Sequence, residues 1–330
     1  MNDQAAALST GYLRDYEEKS KRKVDGPVKT IDTACWTKVY DTWYKMVTST
    51  HPTLPPAVYR TSTNANGEII LEPVKQNSDD VFDLPGLPIE EVNERIEKFW
   101  AQADVYESFN FVHKTGIIFH GPAGNGKTCV ITSLVKRLLA KGGIVITVSE
   151  FSQASQALRV IRQVEPKRRI MTLIEDMDTL LGGENKQQEQ FALSMLDGQD
   201  QVSGVVHIAT TNYPEQLADR FIKRPGRFDL VIGMDVPSEI TRRGYFQKIL
   251  RDDAHPKLDY LVSKTEGMAL AHLREIASSY LCLGIPVDET VARLRTGVNM
   301  AFKPTKAYGK VEGLGFSVGC IKTVDEMEGK

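Results

Sequence analysis

The chain has 330 residues, enough for one large domain or two to three modest ones with a proper core. Hydrophobic residues make up 41% and charged residues 25%, an ordinary globular mixture, and a formal net charge of −2 gives no global electrostatic case for nucleic acid. The longest apolar runs, such as residues 143–148, are far too short to span a bilayer, so no membrane partner is expected.

The N-terminus, Met1-Asn2-Asp3-Gln4, lacks the basic and apolar segments of a signal peptide. Cys35, Cys129, Cys282 and Cys320 are scattered, with no C-x-x-C pair, which points to a reduced, cytoplasmic compartment. Residues 1 to about 30 are polar. The run Glu17-Glu18-Lys19-Ser20-Lys21-Arg22-Lys23 reads as a solvated helix face or frayed terminus, with a nucleic-acid or targeting patch as the alternative. Trp36, Tyr40, Trp43 and Tyr44 then predict one face of a packed helix, with a base-stacking surface as the alternative. Two short apolar runs flanking Asn64-Ala65-Asn66-Gly67 predict a β-hairpin. Residues 1–78 are thus expected to form a small mixed α+β N-terminal module.

After a turn-rich linker, Val92, Ile96, Phe99, Trp100, Ala103 and Tyr106 mark an amphipathic helix. Strands and helices then alternate, which predicts a parallel α/β sheet of five strands at 117–120, 144–148, 170–174, 205–209 and 230–234. Beyond Pro237 the pattern is helical only, with helices over 240–250, 270–281 and 287–301. The expected domains are therefore 1–78, an α/β core over 79–236, a small helical lid over 237–301 and a tail over 302–330.

The most informative stretch is Gly121-Pro122-Ala123-Gly124-Asn125-Gly126-Lys127-Thr128, set between an apolar strand and a helical pattern. It matches the phosphate-binding loop G-x-x-x-x-G-K-[ST] in the setting that motif requires. Glycines let the backbone wrap closely around a polyphosphate, and the helix N-terminus adds its positive end. Lys127 is expected to reach the β- and γ-phosphates and the Thr128 hydroxyl to hold Mg²⁺. Cys129 is expected beside the nucleotide.

Two further strands end in polar residues. The run Ile170-Met171-Thr172-Leu173-Ile174 releases Glu175, Asp176 and Asp178 at its C-terminal end, where α/β sheets bind ligands. One acid would order the Mg²⁺ shell and the next orient or deprotonate an attacking water; a helix cap or solvated turn is the plainer alternative. The run Val205-Val206-His207-Ile208-Ala209-Thr210-Thr211 ends at Asn212, whose amide is suited to the γ-phosphate or the water, or merely starts a turn. Downstream, Arg224-Pro225-Gly226-Arg227-Phe228-Asp229 carries basic residues just before a strand.

In this order the motifs resemble the AAA ATPase family over about residues 79–284. The resemblance implies a P-loop NTPase that binds ATP and Mg²⁺. Lys127 and Thr128 match the Walker A lysine and hydroxyl. Glu175 matches the Walker B magnesium position, Asp176 the catalytic base and Asn212 sensor 1. Arg224 and Arg227 match the arginine fingers that act on ATP in a neighbouring subunit. Asp83-Leu84-Pro85-Gly86 lies where the family covers the adenine, and Gly267-Met268-Ala269-Leu270 where its lid closes, so Leu84, Met268 and Ala269 are expected in the base pocket. A homo-oligomeric ring, usually a hexamer, is implied.

Two departures stand out. The usual Asp-Glu order of Walker B is reversed as Glu175-Asp176, which shortens the base by one methylene. The aromatic–apolar–Gly threading loop of many family members is missing from residues 149–159, where Phe151 is the sole aromatic and is expected to pack. That segment, Leu196-Asp197-Gly198 and the helix before the core look like the Bcs-type subfamily and its bacterial or bacteriophage relatives. The reading that follows is an ATP-driven remodeller of folded proteins or complexes, bound through residues 1–78. A nucleic-acid motor or loader is the alternative, kept open by Lys19 to Lys23 and by the set Arg159, Arg162, Lys167, Arg168 and Arg169, and a slow nucleotide-gated switch is a third.

Overall fold

The computed structural model describes residues 35–39, 43–47, 52–74, 83–182, 186–217, 221, 226–253 and 255–301. The charge run at 17–23, Arg224 and the tail from 302 lie outside them.

Strands β1 (Cys35–Val39) and β2 (Trp43–Val47) pair antiparallel, with Cys35 opposite Val47 and Val39 opposite Trp43. The helix expected from the aromatic spacing is therefore replaced by a strand pair. Trp, Tyr, Val and Thr all favour a pleated backbone, and that preference outweighs a weak helical period.

Strands β3 (Val58–Thr63) and β4 (Ile69–Pro73) form the predicted hairpin. Its turn is built by Asn64, whose Oδ1 accepts from the N–H groups of Asn66 and Glu68 at 3.0 and 2.9 Å. The hairpin does not stand apart in an N-terminal module. β3 runs parallel beside β6 (Ile144–Thr147), with Val58 opposite Val145, so the five predicted parallel strands become a mixed sheet of seven. A clasp fixes the approach to β3: Glu165 Oε1 accepts from Leu54 N–H at 2.8 Å, and Arg168 donates to the Leu54 carbonyl at 2.5 Å.

The sheet order is β4-β3-β6-β7-β8-β5-β9, with β5 at Lys114–His120, β7 at Ile170–Ile174, β8 at Val205–Thr211 and β9 at Leu230–Gly233. β5 through β8 read as continuous apolar runs because helices cover both faces of the sheet. On one face Ile117, Phe119, Met171 and Ile208 pack against α1 (Ile89–Ala101) and α3 (Lys127–Ala140). Alternate residues, among them Ile118, Ile146, Ile174 and Ala209, meet α4 (Phe151–Val164), α5 (Met177–Leu181) and α6 (Lys186–Asp197) on the other.

The single helix expected over 92–106 breaks at Gln102 into α1 and α2 (Ala103–Ser108). The break swings Tyr106 onto Phe99 and His113, whose Nε2 lies 2.8 Å from the Phe99 carbonyl, so the three rings close one end of the sheet.

The lid contains α7 (Glu239–Leu250), the unpredicted α8 (Leu258–Lys264), α9 (Leu270–Leu283) and α10 (Val287–Ala301). Phe246, Leu261, Leu273 and Ile276 form its core, and Leu84 from the segment ahead of α1 is buried in it. α8 escapes a periodicity search because seven residues give only two turns, yet Leu258, Leu261 and Val262 all face inward. Among the described residues, no helix is long and apolar enough to cross a membrane.

Candidate active site

Because β5, β7 and β8 are parallel and adjacent, their C-terminal ends emerge on one rim of the sheet. That brings the loop after β5, the acids after β7 and Asn212 after β8 together. They line a cleft of about 930 Å³ between the sheet rim and the lid.

The loop owes its path to glycine. Gly121 sits at φ 135°, and a Cβ there would lie 2.4 Å from the Met234 carbonyl oxygen. Gly124 sits at φ 83°, where a Cβ would lie 2.8 Å from that of Ala271 on the lid. The lid touches the loop directly, since Ala271 N–H donates to the Gly124 carbonyl at 3.0 Å. Below the loop, Asn125 is buried and its Nδ2 donates to the Met234 carbonyl at 3.2 Å.

Lys127 opens α3. Its ammonium donates to the carbonyls of Gly121 and Pro122 at 2.5 and 3.1 Å and to Asn212 Oδ1 at 2.6 Å. Loss of water holds it below the ordinary lysine value, against the opposing pull of Asp176 and Asp178. Asn212 turns its other end to Asp176, with Nδ2 donating to Oδ1 at 3.0 Å. One amide thus connects the predicted phosphate cation to the predicted base.

Asp176 itself adopts a left-handed backbone, φ 45° and ψ 55°, and its N–H donates to Thr210 Oγ1 at 2.9 Å. Glu175 opens onto the same cleft. Partial loss of water and the neighbouring Asp176 charge push its carboxyl up.

The remaining expected residues divide. Thr128, Ala123, Gly126, Cys129 and Leu84 line the cleft with Lys127. Cys129 is half-buried, and burial pushes its thiol up to about 11, which keeps it protonated and unreactive at neutral pH. Met268 and Ala269 are buried and absent from the cleft wall; the same lid segment presents Leu270 and Ala271 instead. Leu84 is held in place from behind. Arg137 on α3 donates to Asp83 at 2.7 Å and to Glu90 at 2.8 Å, and Ser133 hydrogen-bonds to Asp83.

Arg227 is not brought to this cluster. It is buried beside α6, with Nε 3.7 Å from Asp197 Oδ2 and its guanidinium 6.0 Å from the centre of the Phe221 ring. Phe151 lies at the first turn of α4 and is 1% exposed, a core residue as expected. Sequence reasoning did not single out the lid's contribution, Lys248, Arg251 and Arg274, which also line the cleft. Lys248 on α7, Arg251 just past its end and Arg274 on α9 look like an ordinary solvated face in the sequence, and only the lid's docking turns them inward.

The donor set fits the groups that the motifs imply. A dehydrated ammonium and a helix N-terminus face the cleft, which suits a polyphosphate. One hydroxyl, Thr128, and one carboxylate, Glu175, suit Mg²⁺, which keeps most of its waters and takes few protein ligands.

This fold and site are those of a P-loop NTPase domain of the AAA type. Residues 117–236 match the family described as ATPase family associated with various cellular activities (AAA), and form an AAA ATPase domain. Similar proteins include the mitochondrial inner membrane i-AAA protease supercomplex subunit YME1 of Saccharomyces cerevisiae, 29% identical over 57% of this chain and 28% of its own length. The ATPase family protein 2 homolog of Caenorhabditis elegans is 30% identical over 59% of this chain and 30% of its own. The proteasome-activating nucleotidase of Sulfurisphaera tokodaii is 29% identical over 59% of this chain and 55% of its own. The chain thus spans less than two thirds of the length of each.

Proposed function

We propose that this protein hydrolyses ATP within a homo-oligomeric ring, a hexamer as the AAA resemblance implies, and uses the cycle to remodel a protein or protein complex. The observation that carries the reading is the hydrogen-bonded chain Lys127–Asn212–Asp176 at the mouth of a cleft roofed by the lid. In this mechanism Lys127 and the N-terminus of α3 hold the phosphates, and Thr128 and Glu175 would hold Mg²⁺, which would screen the phosphate charge. Asn212 orients a water against Asp176, and Asp176 takes its proton. The lid's Lys248, Arg251 and Arg274 face the same space, so lid position and nucleotide charge are coupled electrostatically.

Arg224 and Arg227 are assigned to the neighbouring subunit's nucleotide. For Arg227 this asks that ring assembly draw the guanidinium away from Asp197.

The partner is proposed to be a protein, engaged through the N-terminal part of the chain. The basic set that kept nucleic acid open is largely engaged within the fold. Arg162 donates to the carbonyls of Pro166, Arg168 and Gly204, Arg168 pairs with Glu165, Arg169 with Glu97, and Arg159 with Asp200. A phosphate backbone would have to displace these partners before the cations could neutralise it. The buried Phe151 supports the handling of folded proteins over threading, and the Bcs-type likeness belongs with this proposal. The site of action is proposed to be the cytoplasm.

The test is the ATPase rate of the purified chain with and without DNA across a salt series. DNA-independent turnover is expected. Stimulation by DNA that collapses with salt would sink the protein-remodelling reading, and ATP binding without turnover would leave a switch.

A further inference from the structure

The backbone ladder between β7 and β8 ends at the pair Ile174–Ala209. Asp176 and Asn212 both lie beyond that pair, where the two chains leave the sheet. Side chains continue the connection there. Thr210 Oγ1 accepts from Asp176 N–H, as described above. One turn on, Asp178 is 6% exposed, and its Oδ1 accepts from the Thr211 hydroxyl at 2.5 Å and from Asn212 N–H at 3.2 Å. The Thr211 hydroxyl also accepts from Tyr213 N–H at 3.1 Å, so it is fixed from both sides.

An acid in the first turn of a helix ordinarily serves its own helix by capping. α5 has no side-chain cap, and Asp178 spends its Oδ1 on the neighbouring strand instead. It therefore fixes where the Asn212 backbone sits relative to α5, and hence the reach of the Asn212 amide to Asp176. The left-handed turn at Asp176, a backbone conformation that L-residues rarely adopt, is held from the same strand through Thr210.

We infer that Asp178 and Thr211 are positioning residues for hydrolysis: they set the register between the base Asp176 and the amide Asn212 without touching nucleotide themselves. The inference rests on the hydrolytic reading of that pair. In the full chain, Thr211→Val removes the hydroxyl and keeps the shape, and Thr211→Ser keeps the hydroxyl and removes a methyl. Asp178→Ala removes the acceptor.

With ATP as substrate, and a fluorescent ATP analogue for binding, Thr211→Val and Asp178→Ala are expected to lower kcat about ten- to a hundredfold, leaving KM and the analogue's Kd within about threefold. Thr211→Ser should retain kcat within about threefold of wild type, because a misplaced reacting group, not lost packing, is what slows the step. Wild-type kcat in Thr211→Val, an equal fall in Thr211→Ser, or a change confined to KM would each overturn the assignment. Should Asp178→Ala fail to fold, the Thr211 pair decides alone. A wild-type chain that binds ATP and never turns it over sinks the hydrolytic reading and this inference together, a result unlike any of those three.

Discussion

Lys127 shows how a single side chain is prepared for the phosphate we propose it holds. Burial strips water from the ammonium, and three oxygens replace that water imperfectly. An incoming phosphate offers a full negative charge where carbonyls offer only dipoles. Lys127→Ala should therefore raise the Kd for ATP about a hundredfold, close to 2.7 kcal/mol, in a fluorescence titration; a change under about threefold would mean the loop does not hold phosphates through this residue. Arg227 makes the opposite case. Its motif matches that of a phosphate-directed arginine, and its burial against Asp197 and Phe221 could not be foreseen, because Arg227 lies in a turn and Asp197 ends α6 thirty positions earlier. Arg227→Ala should abolish turnover while sparing ATP binding. Rings mixed from Arg227→Ala and Lys127→Ala chains should regain activity where an intact loop meets an intact arginine. Mixed rings as inactive as either parent would refute the action in trans.

At the scale of elements, legibility tracked burial. Strands covered on both faces announce themselves as apolar runs, so β5 to β8 are readable to within a few residues, and the half-exposed edge strand β9 is readable from its short apolar core. The β1–β2 pair was misread because four aromatics in nine residues satisfy a helical and a strand period almost equally. The place of the β3–β4 hairpin was illegible for a different reason: its partner β6 lies more than eighty residues downstream, and short strands carry no mark of a distant neighbour. α4 follows β6 after only three residues, so no loop is left in which Phe151 could project. Phe151→Ala should accordingly cost about 3–4 kcal/mol in urea unfolding, the usual penalty for emptying a buried aromatic site. Unchanged stability with a selective loss of partner handling would restore a threading role to this side chain.

For the molecule as a whole, acid should be the sharpest stress. His207 stands within β8, an interior strand between β7 and β5, fully buried, with Nδ1 2.8 Å from Thr172 Oγ1. Burial, helped by the Lys114 charge, pushes its pKa down to about 3. The fold therefore holds the neutral ring, and an unfolded chain, titrating near 6.5, takes up a proton that the fold refuses. The contribution to stability is complete above pH 6.5 and drains away as pH falls towards 3. Between pH 7 and 5 that amounts to about 2 kcal/mol. Comparing urea midpoints at the two pH values, His207→Asn should lose this share of the dependence; an identical slope would show that other groups carry it.

The fusion of the hairpin to the sheet also has a mechanical side. Tension on the chain ahead of Pro52 meets the clasp at Leu54 and then β3, whose parallel bonds to β6 lie across the direction of pull. Bonds in that geometry yield in shear, sharing the load, where a peeled strand would surrender them one at a time. β6 is in turn bonded to β7, the strand that delivers Glu175 and Asp176. A stiff strut of two strands therefore separates whatever pulls at the front of the chain from the residues assigned to burning the fuel.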